Sequence, residues 1–169
     1  MKRIFVLSVL FCLFQNIFAQ TITVNELKSI KDGAKVNYIL DFTDCIIMGT
    51  TITDFAVSEP DWDNDKPTIV NSFRNGILSQ VEDFMILGMG NLSDAPYTLT
   101  VHVKSISSNG YLICDANLTD TDGKIYLAVS NVNSGKKSKL IPGTKLSKIK
   151  ASSLLAGRSL GKIIKSERK

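Results

Sequence analysis

The sequence predicts an α+β fold, a two-layer sandwich with a four-stranded mixed sheet and two long helices on one face, in the order strand, helix, three-stranded antiparallel meander, helix. Two observations lead there. Val70, Phe73, Ile77, Val81 and Phe84 recur at three- and four-residue steps, the one-sided stripe of a helix. After Pro96 the period drops to two: Tyr97, Leu99, Val101 and Val103 alternate with Thr98, Thr100, His102 and Lys104, as in a half-buried strand.

The elements follow in chain order. MKRIFVLSVLFCLFQNIFA puts two basic residues before an apolar run over residues 4–13 broken only by Ser8, which predicts a signal peptide cleaved between Ala19 and Gln20. Residues 20–169 then form a single α+β domain, exported to the periplasm or beyond. Phe11 before Cys12 does not fit a lipid-attachment site, and no other apolar stretch reaches the roughly twenty residues of a transmembrane helix. TITV and a polar, helix-compatible NELKSI lead to the Asp32-Gly33 turn. KVNYILDFTDCII is the first strand, with Tyr38, Leu40, Phe42 and Ile46 on its apolar side and Asp41, Thr43 and Cys45 on the other. Thr51 with Asp54 three residues on gives TTITDFAVSE the look of a capping box opening a short helical turn.

The long helix is expected to start with Asp65 as its cap and Pro67 in its first turn, and to end at Gly88 or Gly90. Gly76 inside it costs about 1 kcal/mol of propensity and suggests a close approach to the sheet. Asn109-Gly110 and Asp122-Gly123 are hairpin turns between YTLTVHVKSI, YLICDANLT and KIYLAVSNV. LSKIKASSLLAGRSLGKIIKSERK is the last helix, with small residues Ala156, Gly157 and Gly161 where it presses on the sheet.

Charge is unevenly distributed. Residues 20–135 carry 7 Lys and Arg against 15 Asp and Glu, whereas residues 136–169 carry 11 against 1. Lys148, Lys150, Arg158, Lys162 and Lys165 of the last helix, with Trp62 in the acidic SEPDWDNDKP loop, are therefore the candidate contact surfaces. The partner they fit is an anionic envelope component, either lipid headgroups or a polymer, or an acidic protein. Nothing is patterned for nucleic acid, and no cofactor is implied.

Two chemical alternatives stand beside binding. His102, Cys45, Asp41 and Asp115 supply an imidazole, a thiol and carboxylates to the outer sheet face, the parts of a small hydrolase or thiol enzyme. Asp61, Asp63 and Asp65 match the first three ligand positions of a calcium hand, but Lys66 stands where that loop needs glycine and Ser72 where it needs a bidentate glutamate. Cys45 and Cys114 fall on opposite faces of separate strands, against a disulfide between them. GMGNLS and SGKKS lack the strand-to-helix setting of a phosphate loop.

FTDCIIMGTTITDFAVSEPDWDNDKPTIVNSF, APYTLTVHVKSIS and the closing LLAGRSLGKIIK resemble a group of small secreted proteins of Bacteroidales-type gut bacteria. That group shares an aspartate-rich strand, a DW-x-x-D-K/W-P segment and a Gly-rich basic last helix. The element order is also similar, more distantly, to envelope-lipoprotein domains related to the N-terminal part of the curli-secretion component. The resemblance implies a bacterial host, export and this fold, and transfers no catalytic residue. An exported, non-enzymatic envelope module that works by binding or assembly is the function expected.

Overall fold

The computed structural model describes residues 20–81, 83–90, 92–135 and 143–169. The signal-peptide expectation, on residues 1–19, and most of the SGKKS loop lie outside the described residues. The strands are β1 (Thr21–Asn25), β2 (Ala34–Asp41), β3 (Ile46–Ile47), β4 (Thr50–Thr51), β5 (Met85–Gly88), β6 (Tyr97–Ile106), β7 (Leu112–Asp120) and β8 (Ile125–Asn133). The helices are α1 (Ile52–Ser58), α2 (Trp62–Val81) and α3 (Lys145–Arg168). The class is α+β, but the four-stranded sheet is corrected to a mixed one that has eight strands among the described residues, accompanied there by three α-helices and a 3-10 turn at Leu27–Ser29.

β6, β7 and β8 form the antiparallel meander, β2 lies beside β6, and β1 and β5 extend the sheet at the two edges to give β1-β8-β7-β6-β2-β5. β5 comes from MILG, expected as the end of the long helix. That helix stops at Val81, and Met85 and Leu87 are then buried while Ile86 is 53% exposed, a period of two. β5 pairs parallel with β2, which also pairs parallel with β6. At the opposite edge TITVN pairs antiparallel with β8.

The expected first strand breaks after Asp41. The Asp41 carboxylate accepts from the Thr43 N–H at 2.8 Å, Cys45 N donates to the Phe42 carbonyl at 3.0 Å, and Asp44 takes a positive φ of 61°. That turn reverses the side-chain parity. Cys45 and Ile47 enter the core, and Ile46, expected inside, is 44% exposed. β3 runs beside β6 beyond the point where β2 stops, and turns into β4 through Met48 and Gly49, both at positive φ as a two-residue hairpin of this kind requires.

Thr51 caps α1, accepting from Asp54 N at 3.2 Å. α2 starts one turn earlier than expected, because Trp62 is drawn into the core between Phe42 and Phe55, each ring edge-on at 5.4 Å. Pro67 consequently sits inside the helix, where it removes the donor for the Asp63 carbonyl. α2 and α3 cover the sheet face carrying Leu99, Val101, Cys114, Ala116, Leu118 and Val129, all buried. Cys45 and Cys114 are both free thiols in that core.

The glycines press on each other's helix, not on the sheet. A Cβ added at Gly76 would lie 2.8 Å from the Arg158 amide nitrogen and closer still to the Leu154 carbonyl oxygen. One added at Gly161 would lie 2.8 Å from the Ile77 carbonyl oxygen, and one at Gly157 would collide with the Phe73 carbonyl. The two backbones therefore touch. The helices also run parallel, since one hollow is lined by the first turns of both and a second by their last turns.

Candidate functional site

Capping and small residues place the basic helix. Thr144 accepts from Ser147 N at 3.3 Å to open α3, and Ile149, Ala156, Gly157, Leu160, Gly161, Ile163 and Ile164 are buried beneath it. What remains outward is a line of cations. Arg158, Lys162, Lys165 and Lys169 follow at steps of four, three and four residues, one above another on the side away from the sheet, and all are exposed. None of them pairs with a carboxylate among the described residues. The ion pairs there are Lys35 with Asp94, His102 with Asp41, Lys104 with Asp115, Lys124 with Glu26, Lys145 with Glu59 and Arg168 with Asp32.

The expected contacts are thus partly brought together. Arg158, Lys162 and Lys165 share the stripe, whereas Lys150 lines a cleft at the helix starts and Lys148 is half-buried beside the Gly110 turn. Trp62 is a core residue, 3% exposed, as its place at the start of the long helix allows, and offers no contact surface. Lys169 was missed, although its spacing from Arg158 marks it as a member of the same face.

The cleft at the helix starts encloses about 410 Å³ between Glu59, Asp61, Asp65, Thr68, Ser147 and Lys150, with Lys145 bound to Glu59 at 2.6 Å. Asp61 and Asp65 line it and Asp63 does not, so the three aspartates do not converge. Among the described residues no group of three His, Cys, Asp or Glu side chains is placed to hold a metal ion. The hollow at the helix ends, about 290 Å³, is lined by Asp32, Gln80, Asp83, Phe84, Lys165, Arg168 and Lys169. Arg168 pairs with Asp32 there and lies over the Phe84 ring at 4.0 Å.

On the outer sheet face, Asp41, His102 and Asp115 share one cross-strand row. His102 Nδ1 is 2.9 Å from Asp41 Oδ2, and Asp115 is taken by Lys104 Nζ at 3.2 Å and by Asn131 N at 2.8 Å. The Thr43 amide, with the Thr43 side chain and His102 adding to it, holds the Asp41 carboxyl below its usual range. Cys45 is absent from this face. Burial pushes its thiol up to about 12, and burial also raises Cys114, so neither is ionised near neutral pH. The face holds an imidazole–carboxylate pair, and the thiol expected beside it is in the core.

No known protein family matches the chain, and no curated protein is significantly similar to it. Two solved structures of PelC from Paraburkholderia phytofirmans, both dodecamers, are similar to it. A variant form is 13% identical over 89% of this chain and 98% of its own, with a TM-score of 0.42. The other is 12% identical over 85% and 95%, with a TM-score of 0.44. Likeness at this level assigns neither assembly nor ligand. No helix among the described residues is long and apolar enough to cross a membrane.

Proposed function

We propose that this chain is an exported, non-enzymatic binding module of the bacterial envelope that holds an anionic partner on the outward face of α3. The supporting observation is the stripe Arg158, Lys162, Lys165 and Lys169, exposed and unpaired with any described carboxylate. Like charges at such spacing repel by about 0.2–0.5 kcal/mol per pair, a cost that a bound anion removes. A thiol enzyme is not favoured, because its nucleophile would be in the core.

The test is retention of the mature protein on an anionic matrix along a salt gradient. Wild type is expected to elute late and Lys162→Glu/Lys165→Glu early, with about a tenfold loss of affinity at low salt. Equal elution of the two proteins overturns the binding role. For export, N-terminal sequencing of the secreted protein should begin at Gln20.

A further inference from the structure

We infer that the partner is a linear acidic polysaccharide, lying across the outer surface of the α2–α3 pair with its carboxylates on the α3 cations and its hydroxyls on a polar row of α2. This rests on the anion-binding role of α3 and adds the ligand class.

Three features point to it. The first is the shape of the cation array. Arg158 to Lys169 spans about 16 Å along the helix axis in steps of about 5 Å, so the charges form a line and not a patch. An extended chain with one carboxylate per sugar presents charge at a comparable interval.

The second is the neighbouring helix. Ser72, Asn75 and Ser79, at steps of three and four, share the side of α2 that faces away from the sheet, and Asn75 and Ser79 are exposed. The Asn75 amide has no hydrogen-bond partner among the described residues. Ser72 and Ser79 donate to the Thr68 and Gly76 carbonyls at 2.8 and 2.7 Å; the Ser72 oxygen keeps its acceptor lone pairs, and that of Ser79, which accepts from Gln80 Nε2 at 3.1 Å, keeps one. The glycine contacts bring the two helices close enough for one chain to reach both rows. From Lys66 to Val81 and from Lys145 to Ser166 there is no Asp or Glu, so neither row repels a polyanion.

The third separates this ligand from other polyanions. A lipid surface is held by fully exposed apolar side chains inserted beneath the basic ones, but Ile149, Ala156, Leu160, Ile163 and Ile164 of α3 are buried, and its other apolar side chains, Leu146, Leu154 and Leu155, are half-buried. Single-stranded nucleic acid is gripped by exposed aromatic rings, and the aromatic residues of these two helices, Trp62 and Phe73, are buried. Poly-glutamate offers charge without sugar hydroxyls, which leaves the α2 row unused.

The experiment measures binding of the mature protein to polygalacturonate, poly-L-glutamate of matched charge number and phosphatidylglycerol vesicles. Polygalacturonate is expected to bind about tenfold more tightly than poly-L-glutamate, and Asn75→Ala/Ser79→Ala to lose about that factor for polygalacturonate alone. Lys162→Glu/Lys165→Glu should weaken both polymers. Equal affinity for the two polymers, an unchanged Asn75→Ala/Ser79→Ala protein, or preference for vesicles overturns the polysaccharide assignment while leaving anion binding intact. Indifference of every probe to Lys162→Glu/Lys165→Glu overturns the anion-binding role itself.

Discussion

At the residue scale, one carboxylate decides where a thiol goes. Asp41 accepts the Thr43 amide and so ends β2, and the turn that follows carries Cys45 from the wet face into the core. Thiol titration of the native protein should find neither Cys45 nor Cys114, and both after denaturation. Reaction of one thiol without unfolding would contradict their burial. Asp41 also confers a pH dependence with a definite sign. Its folded pKa is depressed, so its contribution is present above the unfolded value of about 3.9 and is lost as pH falls through the lower folded value. Asp41→Asn should therefore lower the urea midpoint at neutral pH, by about 0.5 kcal/mol for so solvent-screened a group, and match wild type in strong acid. A simple alternation along KVNYILDFTDCII hides this turn, because nothing in the period marks the residue at which a side chain bonds to its own backbone.

At the element scale, the two long helices and the meander were legible because each sustains its period over several repeats. The short pieces were not. MILG and TITV allow barely two alternations, and MILG continues the apolar run of α2, so only pairing with β2 identifies it as a strand. The glycines of α3 were recognised as a packing surface, yet their partner, the α2 backbone, depends on tertiary geometry that spacing does not encode. Their energetics run against propensity. Gly157→Ala gains about 1 kcal/mol of helix preference on an open surface, but a Cβ there meets the Phe73 carbonyl and overpacking costs about 1–3 kcal/mol. A net loss of up to about 2 kcal/mol is expected from urea unfolding, and a gain would show that the helices can separate without penalty. The cation stripe was half legible, since Arg158, Lys162 and Lys165 stand out by charge, while the α2 row stands out only by the carboxylates it lacks.

For the whole molecule, the charge asymmetry of the sequence becomes a division of surfaces. Acidic side chains gather at the start of α2 and in the sheet loops, and the outward face of α3 is left cationic. The same helix closes the core. Ile149, Leu160, Ile163 and Ile164 are buried, together contributing about 6–12 kcal/mol, which is as large as the whole stability of an ordinary domain. A chain ending before Lys145 should accordingly show no cooperative thermal transition by circular dichroism, and a sharp one would mean that the sheet sustains itself.

The join between β1 and the end of α3 bears on timing. Asn25 donates to the Glu167 carboxylate at 2.8 Å, and β1 has only β8 as its strand partner. This strand must wait for β8, about a hundred residues later, before it finds its pairing partner, and for nearly the last residues before Asn25 is tied to α3, and contacts this remote in sequence slow the final closure.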